Sequence, residues 1–143
     1  MSKLLVQPNL DSTGVVHDVT PASAGWSYVG FGLHDLAAGT SIVVDGTGNE
    51  VCLVLLSGNA RFIAGDLDTG MLQGRASVFD RVSPQAVYVP MNTGWRVEAG
   101  SDAEIAACRA PGTWGTLPPR LIGDQNMPME TRGTGTNVRQ VCN

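Results

Sequence analysis

The chain has 143 residues, of which 43% are hydrophobic and 15% are charged, whereas a typical globular protein has about a quarter of charged residues. This length and composition predict one folded domain and exclude disorder over most of the chain. Nine basic against thirteen acidic residues give a net charge of −4, which argues against nucleic acid as a partner because phosphate backbones are bound by basic surfaces.

A membrane-embedded protein is also excluded by these patterns. The longest apolar run, Val51–Leu56, is too short to cross a bilayer, and Met1–Asn9 lacks the basic and apolar pattern of a secretory leader. The three cysteines, Cys52, Cys108 and Cys142, are odd in number and widely separated. They form neither a CxxC pair nor a disulfide framework, so we expect a cytoplasmic protein.

Short segments rich in Val, Ile, Leu and aromatic residues alternate with turn residues, which predicts an all-β protein. The predicted strands, in chain order, are Val15–Thr20, Trp26–Leu36, Ser41–Val44, Val51–Leu56, Ala60–Ala64, Ala76–Phe79, Ala86–Val89, Trp95–Ala99 and Glu104–Arg109. Turn signals between them, such as Asp68-Thr69-Gly70, recur at the spacing of an antiparallel sandwich or barrel.

Three segments carry further expectations. The run Val51–Leu56 does not alternate apolar with polar residues, so we expect a central strand that is buried on both faces. The apolar alternation slips near Gly30, which predicts a β-bulge there. Ala110–Glu130 carries four prolines and little periodicity, which is typical of an irregular linker on the surface.

No metal or catalytic centre is predicted from the residue types. His17 and His34 are the only histidines, and neither has a partner at a metal-binding spacing. Neighbouring residues of a strand point to opposite faces, so Asp18 and Asp35 cannot easily share an ion with the histidines that precede them. We interpret Cys52 and Cys108 as core residues, because they lie in strongly apolar segments.

Three aromatic residues are candidates for lining a pocket. Trp26, Tyr28 and Trp95 lie on predicted strands, and aromatic rings that face the inside of a barrel can stack on sugar-like ligands. Packing in the core is the alternative role of these rings, and it is the commoner one for buried aromatic residues.

The C-terminal segment is the densest group of polar side chains in the sequence. Arg132, Asn137, Arg139 and Gln140 supply planar donors that suit a carboxylate or a polyol, or a domain interface. The glycines between them allow the backbone to approach a ligand closely. A flexible terminus is the alternative interpretation of the same segment.

Two segments resemble the motifs of the cupin superfamily. Glu50–Gly58 reads Glu-Val-Cys-Leu-Val-Leu-Leu-Ser-Gly and resembles the first cupin motif, and Val89–Val97 reads Val-Pro-Met-Asn-Thr-Gly-Trp-Arg-Val and resembles the second. Residues of Asp45–Asn49 stand where the first motif has two histidines, and Trp95 stands where the second has another. The resemblance implies a cupin-type antiparallel β-sandwich or jelly-roll barrel without a metal.

Four segments, Thr20–Phe31, Glu50–Gly58, Gly74–Phe79 and Arg132–Val141, resemble the N-terminal half of the 5-deoxy-glucuronate isomerase family of myo-inositol catabolism. That family has two cupin domains, of which the first is degenerate and the second binds a divalent metal. The resemblance implies a degenerate cupin over residues 1–110 and a linker with the start of a second cupin over residues 111–143. It implies no cofactor in this chain, and a metal only in the second cupin.

The same resemblance implies an isomerase that converts 5-deoxy-glucuronate to 5-dehydro-2-deoxy-gluconate by an aldose–ketose type reaction. We expect this chain alone to be inactive, and its polar C-terminal segment to become ordered only beside the second cupin. The expected partners are that second cupin, a small uronate and further copies of the protein. Two alternatives stay open: a freestanding metal-free cupin that binds a small carbohydrate acid, and a structural module that dimerises through apolar faces.

Overall fold

A computed structural model describes residues 5–9, 14–113, 117–123 and 127–142. Strands account for 53% of these described residues and helices for 6%, which confirms the all-β prediction. The strands in chain order are β1 (Val15–Val19), β2 (Gly30–Leu36), β3 (Ser41–Val44), β4 (Asn49–Ser57), β5 (Asn59–Ala64), β6 (Leu67–Gln73), β7 (Gln85–Val89), β8 (Trp95–Ala99), β9 (Ala103–Pro111), β10 (Arg120–Ile122), β11 (Met129–Arg132) and β12 (Arg139–Cys142). No helix in these ranges is long and apolar enough to cross a membrane.

The strands form two large antiparallel sheets and one hairpin. The six-stranded sheet has the order β1-β2-β9-β4-β7-β10, the four-stranded sheet has the order β3-β8-β5-β6, and β11 pairs with β12. The two large sheets pack face to face, as alternation of buried and outward residues along each strand requires. Fully buried side chains from both sheets meet between them: Phe62, Leu53, Leu55, Ile105, Val87, Val89 and Val97.

A short helix, α1 (Pro21–Ala24), precedes β2, which starts four residues after the predicted start at Trp26. Thr20 caps this helix by accepting a hydrogen bond from the Ser23 backbone N–H at 3.1 Å, and Ser23 Oγ accepts one from the Thr20 N–H at 2.9 Å. β2 therefore starts at Gly30 and runs in unbroken register with β9. The bulge predicted near Gly30 is wrong, since the register shift lies in β1 between Val15 and His17.

The position of β4 is confirmed, because it lies between β9 and β7 in the six-stranded sheet. Its predicted burial on both faces is wrong: Val51, Leu53 and Leu55 are buried, but the residues that alternate with them are only half-buried. Cys52 belongs to that outward set, and Cys108 of β9, directly opposite it, is exposed. The two cysteines are therefore not core residues.

Two predicted segments differ from the structure. Ala76–Phe79 forms a bend and a turn instead of a strand, with Phe79 90% exposed and the Ser77 N–H donating to Asp80 at 3.0 Å. The sequence Asp68-Thr69-Gly70, which predicts a turn, lies inside β6. There the Thr69 hydroxyl accepts a hydrogen bond from the Phe62 N–H of β5 at 3.0 Å, so a partner strand overrides the turn composition.

The C-terminal part contains more regular structure than its composition predicts. β10 lies within the predicted linker and pairs with β7 at the edge of the six-stranded sheet. β11 and β12 form a separate hairpin instead of a flexible terminus. Gly133 makes this hairpin possible, because its φ is 92° and a Cβ there would lie 2.0 Å from the Asn137 carbonyl oxygen.

Candidate functional site

The three predicted aromatic residues do not line one pocket. Trp95 is 6% exposed and packs in the core. Trp26 borders a cavity of about 480 Å³ on the outer surface of the six-stranded sheet. Tyr28 is 72% exposed and borders a separate cavity of about 210 Å³. A common stacking surface for a sugar ring is therefore absent from these three residues.

The polar residues of the C-terminal segment all lie on the hairpin, and all four are exposed. Arg132 of β11 and Arg139 of β12 are directly opposite each other. The Arg132 guanidinium donates to Glu130 at 2.8 and 3.0 Å, and Arg139 Nη1 donates to Asn137 Oδ1 at 3.2 Å. The hairpin thus places two guanidinium groups side by side, each held by a neighbour within its own strand or turn.

The positions that match the cupin metal motifs do not converge. Trp95 faces the core, whereas Glu50 belongs to the outward side of β4, where its Oε2 accepts a hydrogen bond from the Tyr88 hydroxyl at 3.0 Å. Among the described residues, no group of three or more His, Cys, Asp or Glu side chains is close enough to hold a metal ion. These residues therefore do not fit the cupin metal.

A polar cluster, formed by Asp18, His34 and Arg109, lies on the core-facing side of β1, β2 and β9. Directly opposed residues of a sheet share a face, and Asp18 is opposite Gly32, which in turn is opposite the core residue Ala107. The Arg109 side chain crosses over β2 and forms an ion pair with Asp18 of β1. The cluster therefore ties the edge strand to the middle of the sheet.

Two glycines of β2 make room for this cluster. A Cβ on Gly32 would lie 3.0 Å from His34 Nε2 and 3.7 Å from Arg109 Nη2, and a Cβ on Gly30 would lie 3.4 Å from Arg109 Nε. Glycine inside a strand weakens it unless another group approaches closely. The sequence Gly30-Phe31-Gly32, near which we predict only a β-bulge, is instead the signal that could have revealed the cluster.

The electrostatics of the cluster favour a neutral histidine. Burial, followed by the positive charge of Arg109, lowers the pKa of His34 below 6.5, and Asp18 opposes this effect. His34 Nδ1 and Arg109 Nε are buried and have no hydrogen-bond partner among the described residues. Because Asp18 already balances the charge of Arg109, the cluster is suited to holding strands together and does not offer a free cation to an anionic ligand.

The outer side of the six-stranded sheet is apolar over four strands. Phe31, Cys108, Cys52 and Tyr88 form one row across β2, β9, β4 and β7, because each is directly opposite the next. Leu33, Ala106, Val54 and Ala86 form the next row in the same way. We call these eight residues the apolar face. Burial and the neighbouring Cys108 raise the pKa of Cys52, so this thiol is not an activated nucleophile.

The outer side of the four-stranded sheet has the opposite character. Arg61 of β5 pairs with Asp68 of β6 and with Glu98 of β8 at 3.4 Å, and Arg96 pairs with Glu98 at 2.9 Å. The hydrogen bonds from Arg61 and from the Gly70 backbone N–H hold the pKa of Asp68 well below its usual range. This surface carries four charged side chains beside the exposed Val43 and Met71, whereas the eight residues of the apolar face carry no charge.

Solved structures and curated proteins resemble the chain over most of its length. An IolB-like protein from Salmonella typhimurium is 40% identical, with a TM-score of 0.90 over 96% of this chain and 52% of that protein. The 5-deoxy-glucuronate isomerase of Geobacillus kaustophilus is 44% identical over all of this chain and 52% of its own length. The chain therefore spans about half the length of the curated relatives that it matches.

A more distant likeness concerns the fold alone. An oxalate decarboxylase from Bacillus subtilis has a TM-score of 0.55 with 16% identity over 80% of this chain. Together with the antiparallel sandwich, these neighbours confirm the predicted cupin-type jelly roll. The model of the KduI/IolB family matches residues 4–143, and the chain belongs to this family.

Proposed function

We propose that this chain is the N-terminal, non-catalytic half of a 5-deoxy-glucuronate isomerase that acts in the cytoplasm in myo-inositol catabolism. The observation that carries the proposal is the match of the whole chain to 52% of a relative that bears this enzyme's name. The reaction is an aldose–ketose type isomerisation of 5-deoxy-glucuronate to 5-dehydro-2-deoxy-gluconate.

The site geometry supports assigning catalysis to the other half. Such an isomerisation needs a base that moves a proton between neighbouring carbons, and a group that stabilises the enediolate. In the described residues, Glu50 lies on the outer side of the six-stranded sheet, whereas Trp95 faces the core between the two sheets. Arg109 is already paired with Asp18. We further propose that a divalent metal is bound by the second half and that this half has no dedicated metal site.

A second function is favoured by one observation, the apolar face on the six-stranded sheet. Of the eight residues, Cys108 is exposed, five are half-buried, and Ala86 and Ala106 are buried. A partly exposed apolar surface is typical of a protein interface, so a structural module that dimerises through it is the alternative. In both cases the role of this chain is to form a protein interface, and it does not carry out catalysis. The two proposals differ in the partner that covers the apolar face and in the need for a second half.

Activity assays test the main proposal directly. The assay compares the isolated chain (residues 1–143), the full-length polypeptide of the length that the relatives have, and the full-length Arg139→Ala variant. We expect turnover only with the second half present, and a lowered rate in Arg139→Ala if the hairpin contacts the substrate carboxylate. Arg96→Ala, on the charged outer surface of the other sheet, is the matched control and is expected to leave the rate unchanged. Turnover by the isolated chain would refute the proposal.

Elemental analysis tests the assignment of the metal. The purified isolated chain is expected to hold well below one equivalent of Mn, Fe, Ni or Zn, and the full-length protein about one equivalent for each polypeptide. A stoichiometric ion that stays on the isolated chain during mild chelation would contradict this assignment.

A further inference from the structure

We propose that the apolar face is the surface on which the second half of the full-length polypeptide packs. This inference rests on the proposed function, because it requires that a second half exists. The interface lies within the polypeptide, on the outer side of β2, β9, β4 and β7.

The apolar face has the composition of a protein interface. Six of its eight residues are Phe31, Leu33, Val54, Ala86, Ala106 and Tyr88, and the other two are cysteines. The neighbouring cavity of about 480 Å³ continues this surface to Trp26, which is 52% exposed. Domain interfaces of this kind are apolar at their centre and polar at the rim, and Glu50 provides a polar group at the rim through its bond to Tyr88.

The contrast between the two outer surfaces restricts the interface to one side of the sandwich. The four-stranded sheet presents Arg61, Asp68, Arg96 and Glu98, which pair with one another in contact with water. Covering that surface would remove several charges from water at a large cost in desolvation free energy. Covering the apolar face removes apolar area from water and is favourable.

The course of the chain favours the second half over a second copy as the occupant. β10 extends the six-stranded sheet beside β7, so the polypeptide leaves the sandwich at the edge of the sheet that carries the apolar face. The relative from Geobacillus kaustophilus is about twice as long as this chain, and the proposed function places its additional residues after this half. A domain tethered on the same polypeptide has an effective concentration of up to about millimolar, which exceeds that of free copies in a dilute solution.

Thiol labelling of Cys108 tests the proposal, because this exposed residue lies at the centre of the apolar face. The isolated chain and the full-length protein are treated with a maleimide at low micromolar concentration, and mass spectrometry of peptides reports the labelling rate at Cys108. We expect the rate to be at least tenfold lower in the full-length protein. Equal rates in the two proteins would overturn the proposal.

The occupant and the proposed function are tested by the same samples. Labelling of the isolated chain that slows as its concentration rises, with no extra protection in the full-length protein, would show a second copy on the face and overturn the proposal. Isomerase activity in a full-length protein whose Cys108 reacts freely would refute the docking and leave the proposed function intact. Protection of Cys108 without isomerase activity would refute the proposed function alone.

A pair of matched variants provides a second measurement. Cys108→Asp places a charge on the apolar face, and Val43→Asp places one on the other sheet, where Val43 is 67% exposed. In the full-length protein, we expect Cys108→Asp to speed proteolysis between the halves at least fivefold and Val43→Asp to leave it unchanged. Circular dichroism of the isolated chain checks that both variants fold. Equal proteolysis rates in the two variants would count against the docking.

Discussion

Replacing Gly32 by alanine tests the explanation given for the polar cluster. The new Cβ would lie 3.0 Å from His34 Nε2 and 3.6 Å from the Cβ of Ala107. The first distance is too short for unstrained contact, and Ala107 is 2% exposed, so the neighbouring strand β9 has little room to move. The imidazole of His34 must therefore be displaced if the backbone of β2 keeps its register.

The magnitude follows from two opposing effects. Overpacking of a well-packed site costs about 1–3 kcal/mol. Alanine in place of glycine restricts the unfolded chain, and this stabilises the fold by about 0.4–1 kcal/mol where the backbone conformation is allowed. We expect Gly32→Ala to lower the free energy of unfolding by roughly 1–2 kcal/mol, because the steric cost exceeds the entropic gain.

A double-mutant cycle with His34→Ala isolates the contact, and urea unfolding is the assay. Once the imidazole is removed, Gly32→Ala is expected to be neutral or slightly stabilising, which gives a coupling free energy of about 1 kcal/mol or more. Gly48→Ala is the matched control, because a Cβ on Gly48 would meet no atom within 4 Å. Equal destabilisation by Gly32→Ala in both backgrounds would refute the contact with His34.

Three further perturbations address the cluster and the hairpin. Asp18→Asn removes a half-exposed ion pair with Arg109, and we expect a loss of about 0.2–1 kcal/mol in urea unfolding; a loss above 2 kcal/mol would contradict this. The pKa of His34 is lower in the folded protein than in the unfolded chain. As pH falls, the unfolded chain therefore binds a proton at His34 before the folded protein does, so the free energy of unfolding should fall as pH drops below 6.5. A His34→Gln variant with an unchanged slope in that range would contradict this. Gly133→Ala should unfold the hairpin, because the new Cβ would lie 2.0 Å from the Asn137 backbone oxygen. NMR signals of the hairpin should report this loss of structure, while the global stability stays unchanged.

The sequence predicts strands well where burial alternates along them. β3 and β8 match their predicted bounds, since side chains of Ser41–Val44 and Trp95–Ala99 alternate between the core and the outside. β6 is missed because Asp68 and Gly70 have the composition of a turn. In the structure their strand is held by its antiparallel pairing with β5, in which Asp68 is opposite Ile63, and local composition does not contain this contact.

The polar cluster could not be predicted from local patterns. Asp18 and Arg109 are 91 residues apart, and only the order β1-β2-β9 brings them together across Gly32. The predicted burial of Cys108 is wrong for a related physical reason. Periodicity assigns a residue to one face of a strand, but it does not tell whether another layer of protein covers that face.

The six-stranded sheet separates the two motif positions, and we therefore expect that a single substitution does not restore a cupin metal site in this chain. Trp95→His would return a histidine to the second motif, but Glu50 of the first motif lies on the outer side of β4 and is bonded to Tyr88. The new imidazole would lie alone among Phe62, Val97 and other core residues, and one ligand does not make a site. We expect no bound metal by elemental analysis and a loss of at least about 2 kcal/mol in urea unfolding, because a large side chain leaves the core. A stoichiometric ion in Trp95→His would show that the two motifs converge after all.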